Sequence, residues 1–564
     1  MRFQATVSAM AAAAGLAVAP SALGQSFPSE FELSSLDGTN GFKFAGSTAG
    51  ELVGRAVANV GDVNGDGIDD VAFGAVGASP GGVRNAGVAY VRFGDSDGYP
   101  PVVNASDIDG SNGIVIQGGG EDHYLGVAVA GAGDVNGDGR DDIFVGASGV
   151  PYDGRAFAGA GYVIFGSDSL PPIINVNDLD GTNGFAFRGT TGGAFTGVAV
   201  AGGGDIDGDD NDDIIIGSPL ASAAYIIFGR DSSDPFPASM TSDDLDGTNG
   251  SRCVGIPGTR AGESIAILED TNGDDLDELA VGAITATFDG KTSSGALYIY
   301  LGRPRAEIDA DIPLEWTTPG MRIFAGGAAL DSVGSGVGSA GDANNDGLGD
   351  IVVTARGSGA THLILGDPDL PIMFTPLDLD GENGGTFLGA GSSDRFGPAI
   401  GVGDINGDDR DDFISGAAFA SGTGTGYVGF GMDRFAVTVS WEDLPAEEGF
   451  AIRGEASGDL AAMSIGGGGD VNADGDPDIL IGSPDHDPFG RNSAGAAYVM
   501  YGGPPESDPC PADIDGDGLL TIFDFLTFGT LFDAGDPLAD FDGDGELTFF
   551  DFLDFQTAFG EGCP

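Results

Sequence analysis

Residues 61–70 read GDVNGDGIDD: five carboxylate or amide side chains in ten residues, in a chain whose formal net charge is already -67. The arrangement recurs as GDVNGDGRDD from Gly133, GDINGDDRDD from Gly403 and GDVNADGDPD from Gly469, with looser copies between. Aligned, there are seven, starting at Asp62, Asp134, Asp205, Asp270, Asp342, Asp404 and Asp470, spaced 62 to 72 residues apart. Self-similarity at a near-fixed period signals a propeller or a solenoid.

Each acidic loop has the same neighbours. A Gly/Ala/Val run leads in (GVAVAGAG, 126–133), an apolar run leads out (DIFVGA, 142–147), and a third follows (GYVIFG, 161–166). A fourth comes after a turn-rich connection, as in LDGTNGFAFRG at 179–189, echoed at 36–46 and 379–389. Four short strands per unit in seven units predict an all-β fold, a seven-bladed β-propeller over residues 27–505. The last unit ends at AYVMYG (497–502) with no GFxF strand after it, so GFKFAG at 41–46 is expected to complete the last blade. Such closure removes the edge strands that an open array exposes. In this alignment Cys253 falls where another unit has Phe187, which predicts a buried strand thiol. His362 takes the place of Tyr162 and Tyr225, which predicts a side chain packed in its blade.

The hydrophobic fraction of 41% excludes wholesale disorder despite the charge. With 21 Lys plus Arg against 88 Asp plus Glu, a basic nucleic-acid-binding surface is excluded. The 103 glycines have no three-residue period, so the chain is not collagenous. Residues 1–24, MRFQATVSAMAAAAGLAVAPSALG, have an early Arg, a short apolar run and small residues before Gln25. They read as a signal peptide, which implies a secreted or surface-attached protein with no transmembrane segment.

The repeated loop is D-x-[DN]-x-[DN]-G-x-x-[DE]. Alternate residues 1, 3 and 5 turn oxygens inward, position 6 allows a sharp bend, position 7 offers its carbonyl and position 9 closes the shell. A flexible set of hard oxygen ligands suits Ca²⁺ rather than a transition metal. The expected ligands are Asp62, Asn64, Asp66 and Asp70; Asp134, Asn136, Asp138 and Asp142; Asp205, Asp207, Asp209 and Asp213; and Asp270, Asn272, Asp274 and Glu278. The last three loops offer Asp342, Asn344, Asp346 and Asp350; Asp404, Asn406, Asp408 and Asp412; and Asp470, Asn472, Asp474 and Asp478. Position 6 is Asp210, Asp275 or Asp409 in three copies, where aspartate tolerates a left-handed backbone better than most residues.

These D-x-N-x-D-G-x-x-D loops, followed by GA or GSP and by a blade-ending FG, resemble the FG-GAP repeats of the integrin α-chain propeller. The resemblance covers about 27–505. It implies calcium on the lower face, in a structural role, and partners on the upper face, on the connections after the second and fourth strands. Those connections hold Arg84, His123, Tyr124, Tyr152, Arg155, Phe157, Phe195, Arg260, Phe288, Lys291, Arg395, Phe396, Phe489 and Arg491, a set rich in the residue types that anchor interfaces.

After residue 505 the composition shifts to Phe, Leu and Asp. DIDGDGLLTIFD (513–524) and DFDGDGELTFFD (540–551) are twelve-residue loops of EF-hand type, with side-chain ligands Asp513, Asp515, Asp517 and Asp524, then Asp540, Asp542, Asp544 and Asp551. Two tandem loop–helix units resemble a dockerin over 508–564. Positions 10 and 11 of the loops are Ile522, Phe523, Phe549 and Phe550, where cellulosomal dockerins carry Ser or Thr. The resemblance implies two further Ca²⁺ and a cohesin-like or cell-surface partner. Cys510 and Cys563 either form a disulfide across the module or leave Cys563 for processing or attachment.

No HExxH or Cys–His pairing is found, and the three histidines lie on different units. The chain therefore reads as a calcium-bound adhesion or recognition protein without catalysis, its propeller binding a protein or polysaccharide. A carbohydrate-active lyase or hydrolase and a structural surface-layer component are the alternatives.

Overall fold

The apolar runs that follow the acidic loops become strands buried on both faces. Asp70–Ala75, Asp142–Ala147 and Asp213–Ser218 are buried at every position. Val71, Phe73 and Ala75 enter the cluster shared with one neighbouring sheet, while Ala72 enters the cluster shared with the other. The buried apolar side chains fall into seven such clusters, one between each pair of adjacent blades. The computed structural model describes residues 27–503 except Ser392, together with residues 527, 528, 531, 532 and 555.

The propeller has seven sheets, as the repeat count predicts, but each sheet has five strands rather than four. In the first blade, Val53–Gly61, Asp70–Ala75, Val88–Arg92 and Gly113–Gln117 run antiparallel from the axis outward. The fifth, Ile173–Asn175, pairs parallel to the fourth and is lent by the third-to-fourth-strand connection of the second blade. It is three residues long and ends in a 3-10 turn, too short to show strand alternation in the sequence.

Residues 30–45 close the ring. Gly41–Ala45 pairs antiparallel with Ala496–Met500 as the fourth strand of the last blade, Gly41 opposite Met500. Glu30–Glu32 lies parallel to Gly449–Arg453 as the fifth strand of the sixth. Phe42, on the closing strand, is fully buried and stacks on Tyr99 at 4.2 Å.

The GA/GS motif has a steric cause. A Cβ on Gly74 would stand 2.1 Å from the Gly126 carbonyl oxygen of the next blade, and one on Gly146 would stand 2.0 Å from that of Gly197. Only glycine lets the neighbouring inner strand approach this closely. Cys253 is fully buried and unpaired at the predicted strand position, opposite Ala224. His362 is buried opposite Val353, with Nδ1 3.0 Å from Thr386 Oγ1, and burial pulls its pKa down to about 4.

The chain divides into two compact units, 1–502 and 503–564. Of the second, the described positions beyond Gly503 are helical, and the buried rings of Phe528 and Phe555 stack at 4.2 Å. Its two acidic loops, with Asp513, Asp515, Asp517, Asp524, Asp540, Asp542, Asp544 and Asp551, and the Cys510–Cys563 pair lie outside the described residues, as does the segment 1–24. No described helix is long and apolar enough to cross a membrane.

Candidate metal centre

All seven acidic loops link the inner strand of a blade to its second strand, at one end of the propeller. They share one backbone. Position 6 is left-handed throughout, with Gly67 at φ 89° and the aspartates Asp210, Asp275 and Asp409 at 65°, 66° and 67°. Position 4 is left-handed too, including Asn345 at 57° and Ala473 at 59°. The first carboxylate holds this shape. Asp62 Oδ1 accepts the N–H of Asp66 at 3.0 Å and Oδ2 that of Gly67 at 2.7 Å, and the equivalent pair of bonds recurs in every loop.

The closing acids Asp70, Asp142, Asp213, Glu278, Asp350, Asp412 and Asp478 are at most 1% exposed. Asp70 Oδ2 accepts the N–H of Val63 at 3.2 Å, and its Oδ1 accepts that of Gly94 at 2.8 Å. The same second bond reaches Gly166, Gly229, Gly366, Gly431 and Gly502, which accounts for the blade-ending FG. Burial pushes Asp70 and Asp350 up to about 8 and Glu278 up to about 7, and it raises Asp142, Asp213, Asp412 and Asp478 well above the usual range. Buried carboxylates of this kind either take a proton or sit against a cation.

The donor set fits a hard divalent ion. It consists of oxygens alone, and two position-3 oxygens, Asp207 Oδ1 and Asn406 Oδ1, are buried with no hydrogen-bond partner. In the third loop Asp205, Asp207 and Asp209 bring carboxylate oxygens within 4.8 Å of one another, and in the fourth Asp270, Asp274 and Glu278 do the same. Elsewhere position 3 is Asn, and Asn64, Asn136, Asn344 and Asn472 turn their amide Nδ2 toward a neighbouring loop carboxylate, at 3.3, 3.2, 2.8 and 2.7 Å.

One role escaped the sequence reading. Position 8 is an acid in five loops, and it belongs to the neighbouring blade's loop rather than to its own. Asp141 Oδ2 accepts the N–H of Asp62 at 2.9 Å, Asp212 that of Asp134 at 2.7 Å, and Asp277 that of Asp205 at 2.8 Å. Asp411 clamps Asp342 at 2.8 Å and Asp69 clamps Asp470 at 3.1 Å, so the first and last units are joined in the same way. The signal was the acid doublet at 69–70, 141–142, 212–213, 277–278 and 411–412, which Gly349 and Pro477 interrupt.

At the opposite end, a non-glycine residue directly before the inner strand, or within five residues of it in the third and seventh blades, is left-handed in every blade: Leu52, Tyr124, Phe195, Arg260, Ser332, Arg395 and Leu460, with φ between 53° and 60°. Such residues cost about 1–2 kcal/mol each. The turn aims N–H groups at the preceding blade: Tyr124 N–H donates to Asn85 O at 3.1 Å and Phe195 N–H to Phe157 O at 3.1 Å.

On this upper face Phe157 and Phe489 are 42% and 68% exposed. The Arg395 guanidinium lies 4.7 Å over the Phe419 ring and that of Arg491 lies 5.0 Å over Phe489, while Phe157 stacks on Phe195 at 5.4 Å. Arg84 and Arg155 are exposed, while His123, Tyr152, Phe288 and Lys291 are half-buried. Phe396 does not belong to this surface: it is fully buried at the start of its inner strand and stacks on Tyr427.

The FG-GAP repeat family matches residues 125–164 and 461–500, a complete first-to-third-strand span of the second blade and one of the seventh. The phosphatidylinositol-glycan-specific phospholipase D of Bos taurus is 35% identical over 181 residues, covering 29% of this chain and 20% of that protein. Integrin alpha pat-2 of Caenorhabditis elegans is 33% identical over 183 residues, covering 32% and 14%, and integrin alpha-5 of Xenopus laevis is 27% identical over 197 residues, covering 34% and 17%. The chain thus spans a fifth or less of the length of these relatives. It is a seven-bladed β-propeller carrying FG-GAP repeats, with integrin α-like homologues.

Proposed function

We propose that this is an exported recognition protein whose propeller is held together by Ca²⁺ in seven lower-face loops and binds a protein or polysaccharide on its upper face. The observation that carries the reading is the division of labour between the two ends. One end is given over to acidic loops of a single conformation. The other displays exposed Phe157, Phe419 and Phe489 with guanidinium groups stacked on two of them. Aromatic and arginine side chains are the usual anchors of an interface. Similarity to integrin α chains supports the same reading. The C-terminal unit, on its sequence, is a dockerin-like module with two more calcium loops, which attaches the propeller to a surface or assembly.

A second reading keeps an enzyme in view, because a phosphatidylinositol-glycan-specific phospholipase D is similar to this chain over a fifth of its own length. The test uses the full chain, with and without calcium, on an array of polysaccharides and matrix proteins, beside the Phe489→Ala/Arg491→Ala variant. Retention of wild type that the variant loses, without released fragments, supports recognition. Released fragments favour the enzyme, and no retention on any surface defeats the proposal.

A further inference from the structure

Among its side-chain ligand positions the third loop differs from all the other six at one, and a residue of the next blade answers it. Position 3 is Asp207 where the others have Asn, which adds a negative charge and removes an amide donor. Arg305 comes from the third-to-fourth-strand connection of the next blade. Its Nε bonds Asp207 Oδ2 and its Nη2 lies 2.7 Å from Asp209 Oδ2, so one guanidinium spans positions 3 and 5. Its own N–H donates to Asp207 O at 3.0 Å, Nη2 reaches Gly229 O at 3.3 Å, and the group lies 4.8 Å over Phe228. Among the described residues no other carboxylate at a ligand position pairs with a basic side chain.

Asp207 is 2% exposed and uses its two oxygens differently. Oδ2 is taken by Arg305, while Oδ1 is buried without a partner. Asp205, Asp207 and Asp209 each bring one carboxylate oxygen within 4.8 Å of the other two. The guanidinium therefore leaves one oxygen of Asp207 unengaged.

We propose that Arg305 is a built-in counter-ion of the third loop, a positioning residue that orients Asp207 and Asp209 and keeps this loop folded when no divalent ion is present. The other six loops have no such substitute. The third loop then stays in place at calcium concentrations that empty its neighbours, and the blade 3–blade 4 joint is the last to loosen.

This rests on the calcium reading of the loops only for its second half, and the experiment separates the two. Thermal midpoints of the full chain are measured in chelator and in saturating calcium for wild type, Arg305→Gln and Asp207→Asn/Arg305→Gln. The double variant restores the Asn found in the other loops. In chelator Arg305→Gln should melt several degrees below wild type and the double variant should recover most of the loss. In calcium the deficit of Arg305→Gln should shrink, because the ion neutralises what the guanidinium did.

An Arg305→Gln midpoint equal to wild type in chelator, or a double variant no better than the single, overturns the proposal. A wild type indifferent to calcium overturns the calcium reading instead, and the recovery in chelator would still establish the counter-ion.

Discussion

Asp141 belongs by sequence to the second acidic loop, yet its carboxylate closes on the first, accepting the backbone N–H of Asp62 at 2.9 Å across the joint between two blades. The bond links the residue that shapes one loop to the strand that begins at the next. Hydrogen bonds to a charged acceptor contribute more than neutral ones, and Asp141 is half-buried, so water replaces part of what is lost. Asp141→Ala should lower stability in calcium by about 1–2 kcal/mol. Denaturant unfolding followed by far-ultraviolet dichroism measures it, and an unchanged midpoint would deny the clamp any role.

The seven loops and the strand that closes the ring were legible because each repeats, and repetition survives variation at single positions. Cys253 and His362 were legible for the same reason, each standing where another unit has a large apolar or aromatic residue. The position-8 clamps were not, since a carboxylate beside a ligand carboxylate reads as more of the same charge until the neighbouring blade is in place. Arg305 lies 98 residues from Asp207, and nothing local in either segment announces the pair. Phe396 was misplaced by one residue: Arg395 is exposed on the upper face, and the chain turns inward directly after it.

Removing calcium should change how stability depends on pH. Burial pushes Asp70 and Asp350 up to about 8 and Glu278 up to about 7, far above the values such groups have in an unfolded chain. Without a cation the native state therefore binds more protons than the unfolded state between about pH 4 and 8, and stability falls as pH rises through that window. With calcium bound the carboxylates are ionised and paired, so the fall disappears and acidification releases the ion instead. Melting curves in chelator and in calcium from pH 5 to 8 test this. A sharper check is Asp350→Asn, which should be more stable than wild type in chelator at pH 8 and less stable in calcium. If both media give the same order, Asp350 is not a metal ligand.

Thiol chemistry should separate the three cysteines. Burial pushes the Cys253 thiol up to about 12 and keeps reagents away, so it should stay unmodified until the propeller unfolds. Alkylation of the native full chain, read by mass, should add no group if Cys510 and Cys563 are joined, and two groups after mild reduction. Labelling of Cys253 in the native protein would contradict its burial.

Closure of the ring by residues 41–45 makes the last joint as dependent on packing as any other. Phe42 and Phe44 are fully buried on that strand, Phe44 stacking on Phe73 of the first blade at 4.5 Å. Phe73 belongs to the second strand of its blade, so the contact ties the closing strand directly to the start of the array. Truncating a buried phenylalanine costs about 3–5 kcal/mol, from lost transfer energy and the cavity left behind. Phe44→Ala should therefore destabilise the propeller by that amount, matching Phe187→Ala at the equivalent strand of the second blade. Limited proteolysis should distinguish the two. In Phe44→Ala the first cuts should fall near residues 46–52, where the closing strand leaves the last blade. In Phe187→Ala they should fall in the connection that follows residue 188. Equal stability loss with identical cleavage patterns would mean that the ring opens elsewhere first, and that the closing strand is not its weakest joint.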